Sequence, residues 1–145
     1  MKLRSIVCGV DFSSGSRTAL RAAVDVARAN DSELTVLFAE DPMLAAAARA
    51  AGDPRAERAS TSAALERFIA RTTQTLQPCR VHTVVTEGAP ANQILETARR
   101  EHADLIVLGT RGTGNVARML LGSTAERVLR EARVPVLAVP EGAPS

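Results

Sequence analysis

Residues 104–129 have the sequence DLIVLGTRGTGNVARMLLGSTAERVL and contain the features that decide the fold. The apolar run 105–109 comes first, a glycine-rich segment follows, and a segment with helical spacing ends the stretch. Four of the nine glycines lie here, namely Gly109, Gly112, Gly114 and Gly122. An apolar run, a glycine turn and an amphipathic segment together predict a strand–turn–helix unit.

The same alternation extends over the rest of the chain. Short β-branched runs predict five strands, at residues 5–10, 34–39, 81–85, 105–109 and 134–139. Four apolar faces with helical spacing lie between these runs. Their members are Leu20, Ala23, Val24 and Ala27; Leu65, Phe68, Ile69, Thr72 and Leu76; Ala91, Leu95 and Ala98; and Ala125, Val128, Leu129 and Ala132. Strict alternation predicts an α/β fold: a single-domain, doubly wound, five-stranded parallel sheet with helices on both faces.

The composition of the runs predicts the strand order. The first run, IVCGV, and the fourth, LIVLG, are apolar throughout, as central strands buried on both faces should be. The third run contains His82 and Thr83, and the fifth is bracketed by Pro135 and Pro140, which suits sheet edges. We therefore expect the order 3-2-1-4-5. This order places strands 1 and 4 side by side at the topological switch point, where such sheets bind ligands.

Two segments lie outside the alternation. Residues 40–59 are rich in Ala, Arg and Glu and contain Pro42, Gly52 and Pro54, so we expect a loose excursion or lid after the second strand. The last five residues, EGAPS, are expected to form a flexible tail. The predicted domain therefore spans residues 1–140, followed by a tail at residues 141–145.

The composition argues against several functional classes. The net charge is +2, with 18 basic and 16 acidic residues interspersed along the chain. Trp and Tyr are absent and there are three Phe, so stacking platforms for nucleic acid are not indicated. Lys2 is the sole lysine, whereas a Walker-type phosphate loop or a Schiff-base enzyme needs a lysine inside the fold.

The cysteines and the N-terminus predict a cytoplasmic protein. Cys8 and Cys79 are too few for a disulfide framework, and Cys8 lies in an apolar run, so both are expected to be reduced structural thiols. The apolar run before Asp11 is too short for a signal peptide. The longest alanine-rich stretch, residues 44–51, is interrupted by Arg49 and is not expected to span a bilayer.

Two explanations for the glycine spacing remain open. Gly122 lies at the predicted start of the last helix, and Ser123-x-x-Glu126 has the pattern of a capping box. In that case the glycines turn the chain between a strand and a helix. A helix start also presents unsatisfied N–H groups and a partial positive charge, to which a phosphate can bind, and Gly122 would allow close backbone approach.

Asp11 ends the first strand in GVDFSSGS and also has two interpretations. In the expected strand order it lies across the switch-point crevice from Gly109. There its carboxylate can accept hydrogen bonds from a ribose or hold Mg²⁺ between itself and phosphates. Alternatively, Asp11 caps the first helix together with Ser13 and Ser14.

The order of these motifs resembles the universal stress protein family. The similarity rests on GVDFS, then LTVLFAED, then TEGAPANQILETARREHADLIVLGTRGTGNVARMLLGSTAERVLREARVPVLAV, and it runs nearly end to end. The spacing Gly109-x2-Gly112-x9-Gly122-Ser123 matches the motif of the family's ATP-binding branch. The resemblance implies an adenine nucleotide alpha hydrolase-like fold, with ATP and Mg²⁺ as cofactors.

The resemblance also implies roles for individual residues. Asp11 would reach the ribose or Mg²⁺, directly or through water, while Val10 and Ala39 would flank the adenine. The triphosphate would be surrounded by Gly109, Arg111, Gly112, Gly122, Ser123 and Thr124. Two positions depart from the common family pattern, since Ala39 replaces a larger aliphatic residue and Thr124 an apolar one. A looser adenine pocket and an added hydroxyl near the phosphates are the expected consequences.

Three functional hypotheses follow. The first is an ATP-binding regulatory module without efficient turnover, which forms a homodimer through strand Val136–Val139 and acts on an unidentified protein partner. The second is a slow ATPase or a self-phosphorylating protein with Ser123 or Thr124 as acceptor. The third is a structural dimerisation domain with an empty pocket, against which the intact glycine motif argues. The first is favoured because no His, Glu or Lys obviously falls beside the expected γ-phosphate to orient water.

Overall fold

The computed structural model describes residues 1–111 and 121–142, apart from the side chain of Pro54. Gly112, predicted to contact phosphate, therefore lies outside the described residues. Five strands are present in the described part of the chain: β1 (Ser5–Val10), β2 (Glu33–Glu40), β3 (Arg80–Glu87), β4 (Leu105–Gly109) and β5 (Val136–Val139). The helices there are α1 (Ser14–Asn30), α2 (Pro42–Ala51), α3 (Pro54–Thr73), α4 (Pro90–Arg100) and α5 (Ser123–Glu131).

The strands form one parallel sheet in the order β3-β2-β1-β4-β5. The predicted order and fold class are confirmed, including the polar third strand and the proline-flanked fifth strand at the two edges. Cys8 at the centre of β1 pairs with Val36 of β2 on one side and with Val107 of β4 on the other. The carboxyl ends of β1 and β4 therefore lie side by side, as the switch-point argument requires.

Alternating side chains of the central strands build a separate core on each face of the sheet. Ile6, Cys8 and Val10 pack with α1 and α3, whereas Val7 packs with α4 and α5. Gly9 shares the face of Val7, and a Cβ there would lie 2.6 Å from Cδ1 of Ile94. The missing side chain thus lets α4 pack directly onto β1.

The prediction of a loose excursion at residues 40–59 is wrong, because this segment contains α2 and the start of α3. Asp41 accepts hydrogen bonds from the N–H groups of Met43 and Leu44, and Asp53 accepts one from Arg55. Proline is tolerated at the first helical position, where its missing N–H has no intrahelical partner. Asp41-Pro42 and Asp53-Pro54 are therefore helix-start signals rather than helix breakers.

An ion pair ties α2 to the edge of the sheet. Arg49 donates two hydrogen bonds to the carboxylate of Glu87 at the end of β3, at 2.9 and 3.1 Å. This contact lowers the pKa of Glu87 below its ordinary value. Most of the rest of α2 faces solvent, with Met43 82% and Leu44 72% exposed and Ala45 buried.

Three smaller differences from the predictions concern β5, α5 and the C-terminal residues. β5 begins at Val136, not at 134, and the carbonyl of Pro135 just before it accepts a hydrogen bond from the N–H of Ile106 at 3.0 Å. Leu129, predicted on a buried face, is 42% exposed. Within the predicted tail, Glu141 contacts Ser14 and Arg111, and residues 143–145 lie outside the described part of the chain.

Among the residues that the structure describes, none of the helices combines the length and the apolar composition needed to cross a bilayer.

Candidate functional site

A cavity of about 310 Å³ opens at the carboxyl ends of β1 and β4. Eight of the nine predicted site residues line it: Val10, Asp11, Ala39, Gly109, Arg111, Gly122, Ser123 and Thr124. Strand order alone explains this convergence, since parallel strands deliver the turns that follow them to one edge of the sheet. The ninth residue, Gly112, is outside the described residues.

The cavity wall combines an apolar part with a polar part. Val10, Leu37, Ala39, Ile94 and Leu108 supply apolar surface from the central strands and α4. The polar groups come from the turns after β1 and β4 and from the start of α5. An apolar concavity with a few convergent polar groups is the usual form of a small-molecule site.

Asp11 is held in place by the serines of the turn after β1. Its Oδ1 accepts hydrogen bonds from the hydroxyls of Ser13 and Ser16, the latter at 2.6 Å, and from the N–H of Ser13 at 3.1 Å. Ser13 is the N-cap of α1 and accepts a bond from the N–H of Ser16. The alternative role predicted for Asp11, capping α1, belongs to Ser13, and Asp11 contributes by orienting the side chain of Ser13.

Phe12 turns the chain sharply after Asp11. Its φ is 65°, in the left-handed region that a bulky residue rarely adopts. Contacts of its ring hold this conformation, because Phe38 and Phe68 lie 4.6 and 5.4 Å away between ring centroids. The three phenylalanines thereby anchor the turn on the α1–α3 side of the sheet, while Asp11 remains in the cavity wall.

Two glycines allow α1 to approach the backbone after β4. A Cβ on Gly15 would lie 2.7 Å from the carbonyl oxygen of Arg111, and one on Gly109 would lie 3.0 Å from the carbonyl oxygen of Gly15. These contacts give Gly109 a packing role that needs no ligand. Gly15 was not singled out from the sequence, because its partner is almost a hundred positions away.

The capping box predicted at Ser123 is wrong. The N-cap of α5 is Gly122, with extended backbone, and among the described residues no side chain caps this helix start. Ser123 is already helical, so its hydroxyl cannot take the position of an N-cap side chain. The N–H of Gly122 donates to the carbonyl of Thr110 at 2.6 Å, which holds the two ends of the intervening segment together.

The start of α5 has donor groups available to the cavity. The first intrahelical bond runs from the N–H of Glu126 to the carbonyl of Gly122, at 2.9 Å. The N–H groups of Ser123, Thr124 and Ala125 precede that bond, and all three residues line the cavity. Such a helix start attracts anions through these donors and through its partial positive charge.

Arg111 adds a guanidinium to the same wall. Its side chain is 24% exposed and lies 3.4 Å from the carboxylate of Glu141, which follows β5. Glu141 also accepts a hydrogen bond from the hydroxyl of Ser14 at the start of α1. Glu141 was not predicted as a site residue, because sequence reasoning assigned it to a flexible tail.

The chemistry of the donors fits Mg²⁺ only as an ion shared with a ligand. Asp11 is the carboxylate among the described lining residues, and hydroxyls of Ser16, Ser123 and Thr124 accompany it. No group of three or more His, Cys, Asp or Glu that could hold a metal occurs in the described ranges. Mg²⁺ commonly binds through one or two carboxylates plus substrate phosphates and water, which is the arrangement that Asp11 could support.

Neither cysteine belongs to the cavity wall. Cys8 is fully buried in the centre of the sheet, and burial raises the pKa of its thiol to about 12. Burial also raises the pKa of Cys79, although nearby Arg28 opposes the shift. Both thiols are therefore protonated at neutral pH and poor nucleophiles, as expected for structural cysteines.

Several lining residues were missed from the sequence. They are Gly9, Ser16, Leu37, Pro90, Ile94, Leu108, Thr110 and Ala125. Leu37 and Leu108 could have been found from strand register, since each lies near the carboxyl end of a central strand on the α4–α5 face. Pro90 and Ile94 depend on how α4 packs, for which the local sequence has no signal.

The chain is similar to known proteins over nearly its whole length. A family model described as the universal stress protein family matches residues 2–140. A universal stress protein of Methanocaldococcus jannaschii is 34% identical over 94% of this chain and 81% of its own length. One of Thermus aquaticus is 33% identical over 94% and 98%. A solved universal stress protein in complex with cAMP is 26% identical, with a TM-score of 0.75 over 98% of this chain and 100% of its own.

Proposed function

Because the chain belongs to the universal stress protein family, we propose that it is a regulatory module whose cavity binds an adenine nucleotide. ATP with Mg²⁺ is the proposed ligand pair. In this proposal nucleotide occupancy, rather than efficient turnover, changes the surface that a protein partner recognises. The solved relative in complex with cAMP supports an adenine nucleotide as the class of ligand.

The observation that carries the proposal is the start of α5. Its N-cap, Gly122, has no capping side chain, and the first three residues of the helix line a cavity that also has an apolar wall. A ligand with an anionic group and an apolar ring satisfies both parts at once. Phosphate at a helix start gains charge-assisted hydrogen bonds from backbone N–H groups.

The remaining assignments follow from position in the cavity. We place the adenine against Val10 and Ala39, and the ribose or Mg²⁺ beside Asp11. The phosphates then face Gly109, Arg111 and the Gly122–Thr124 backbone. Gly112 belongs to the same proposed phosphate set on the basis of the motif alone. Ala39 has a small side chain, which leaves room beside the base.

Slow transfer to the protein is the second candidate, because Ser123 and Thr124 line the cavity and Ser123 does not cap its helix. Efficient hydrolysis needs a group that orients water. Among the described lining residues Asp11 is the one carboxylate, and its Oδ1 accepts bonds from Ser13 and Ser16. Retention of intact nucleotide is therefore the expected behaviour.

We also propose that two copies pair through β5. This edge strand exposes 37% of Leu137, and Leu121 and Leu129 are exposed to a similar degree. An apolar edge strand favours pairing with another strand, and a second copy of the chain provides one. The resulting dimer would carry one nucleotide per chain.

Native mass spectrometry after incubation with Mg-ATP tests the proposal directly. The expected species is a dimer with one intact ATP per chain, stable over hours. Accumulation of bound ADP or of covalent phosphate would favour the second candidate. Absence of bound ATP, AMP and cAMP in a folded sample would refute nucleotide binding.

A matched pair of glycine variants localises the ligand. Gly122→Val places a branched side chain in the cavity wall at a backbone conformation that valine accepts, and we expect ATP affinity to fall at least about 10-fold. Gly52→Val is the control, because its backbone is also extended and its Cβ would have ordinary contacts far from the cavity. Calorimetric titration of both variants with Mg-ATP measures the difference.

A further inference from the structure

The segment after β5 brings a carboxylate to the rim of the cavity. The N–H of Thr110 donates to the carbonyl of Val139 at 3.1 Å, which sets the chain leaving β5 beside the chain leaving β4. Two residues later, Glu141 lies 3.4 Å from the guanidinium of Arg111. Ser14 donates a hydrogen bond to the same carboxylate from the start of α1.

Within the described residues, Arg111 is the least exposed arginine among the arginine–glutamate pairs. The arginine side chain is 36% exposed in the pair with Glu87, 38% with Glu131, 64% with Glu126 and 71% with Glu96. Arg111 is 24% exposed and also lines the cavity. Exposed pairs contribute little, whereas a partly shielded guanidinium responds more strongly to a neighbouring charge.

The charges of the described residues that line the cavity cancel without Glu141. Among the described lining residues, Arg111 is the cation and Asp11 the anion. Glu141 adds a second negative charge next to Arg111, so a ligand phosphate and this carboxylate require the same guanidinium. The carboxylate of Glu141 and a ligand phosphate that both contact Arg111 repel each other, and the repulsion grows with the charge of the ligand.

We propose that Glu141 is a specificity-determining residue: its carboxylate occupies Arg111 as a resident anion and lowers the affinity of the site for highly charged phosphate ligands. The inference rests on the proposed nucleotide site. Glu141 thereby reduces the preference for ATP over AMP and other ligands with fewer phosphate charges. Ligand binding displaces the carboxylate from Arg111 and loosens its contact with Ser14.

The test compares wild type with Glu141→Gln and with Glu66→Gln. Glutamine keeps the size and the hydrogen-bonding capacity of Glu141 and removes its charge. Glu66 is an exposed residue of α3, so its variant changes the net charge equally at a distance from the cavity. Calorimetric titrations use adenosine, AMP and ATP at low salt, and inorganic tripolyphosphate as a probe of the anion site alone.

Glu141→Gln is expected to leave adenosine affinity unchanged, to tighten AMP about threefold and to tighten ATP up to about tenfold. The difference in AMP and ATP affinity between Glu141→Gln and wild type should nearly vanish at about 1 M salt. Glu66→Gln should match wild type throughout. Ser14→Ala removes one hydrogen bond to the carboxylate of Glu141. Its increase in affinity should be smaller than that of Glu141→Gln and should also rise from adenosine to AMP to ATP.

Weaker ATP binding by Glu141→Gln would overturn the inference, since Glu141 would then position Arg111 for the ligand. An equal change for adenosine and ATP would also overturn it, because the effect would not depend on phosphate charge. If no nucleotide binds but tripolyphosphate binds more tightly to the variant, the proposed function fails and the role of Glu141 stands. If no ligand binds to either protein, both fail.

Discussion

The first turns of α2 and α5 both contain backbone N–H groups without intrahelical partners, and the two helices differ in whether a side chain binds these groups. At α2, the carboxylate of Asp41 accepts bonds from two N–H groups of the first turn, and the helix end is satisfied by its own sequence. At α5, Gly122 occupies the cap position and has no side chain that could accept a bond from the first turn. The α2 start lies on the surface, whereas the α5 start lines the cavity.

The same contrast holds for the neighbouring helices. α3 is capped by Asp53, and α1 by Ser13. α4 has no side-chain cap, and its first residue, Pro90, lines the cavity together with the start of α5. Among the described helices, both starts without a side-chain cap line the apolar cavity. The capped helix α1 contributes Ser16 to the lining, but the N–H of Ser16 already donates to Ser13. Uncapped donors at the cavity are useful to an anionic ligand.

The largest expected effect on ATP affinity comes from giving α5 a side-chain cap at position 122. Gly122→Asp introduces a carboxylate at an extended N-cap position, where it can accept bonds from the first turn. We expect ATP affinity to fall about 100-fold, through loss of donors and charge repulsion. The free energy of unfolding should rise by about 0.3 kcal/mol, because glycine is only slightly worse than aspartate as a cap.

Gly122→Asn separates the two contributions. Asparagine caps the helix without a charge, so ATP affinity should fall about 10-fold and adenosine affinity should change little. Calorimetric titration and urea unfolding measure both properties. If Gly122→Asp binds ATP as tightly as wild type, the start of α5 does not hold the phosphates, and the contrast between the helix starts has no functional meaning.

The next effect concerns the close approach of α1 to the cavity wall. Replacing glycine by alanine within a helix ordinarily stabilises it by about 0.5–1 kcal/mol. At Gly15 we expect the opposite sign, a loss of about 1–3 kcal/mol, because the new Cβ would meet the carbonyl oxygen of Arg111 at 2.7 Å. ATP affinity should also weaken, since Arg111 must move.

Gly52→Ala is the matched control for this variant. A Cβ at Gly52 would lie 3.9 Å from the carbonyl oxygen of Ala48, so stability should change by less than about 0.5 kcal/mol. Urea unfolding of both variants gives the comparison. Equal stability of Gly15→Ala and wild type would show that the two backbones can separate without loss.

The smallest expected effect concerns α2, whose start is capped by the side chain of Asp41. Asp41→Ala removes the cap of α2 and should cost about 1 kcal/mol of local stability. Amide hydrogen exchange should accelerate about fivefold in α2 and remain unchanged in α5, while ATP affinity stays at the wild-type value. Asp41→Asn keeps a cap and should exchange like wild type. Reduced ATP affinity in Asp41→Ala would link α2 to the cavity.

The fold and half of the described residues that line the cavity could be predicted from the chain. Apolar runs identified both central strands, and polar or proline-flanked runs identified both edges. Once the order was known, the turns after β1 and β4 had to converge, and eight predicted residues line the resulting cavity. The error at residues 40–59 came from treating Pro42 and Pro54 as breakers, although the preceding aspartates indicate helix starts.

Other features depend on contacts between residues far apart in the sequence. Glu141 meets Arg111 because two strand ends lie side by side, and Gly15 meets Arg111 because α1 crosses the turn after β4. The choice of Gly122 rather than Ser123 as the N-cap shifts the helix start by one residue, and a short pattern cannot specify such a shift.

The two kinds of information have different physical origins. Strand order and core composition follow from burial, a free energy summed over many apolar residues, so the pattern survives local irregularities and can be recognised in the chain alone. The Gly122 cap, the close approach of Gly15 and the Glu141–Arg111 ion pair depend on single groups placed within a fraction of an ångström. Their geometry arises only when α1, α5 and the ends of β4 and β5 have packed together.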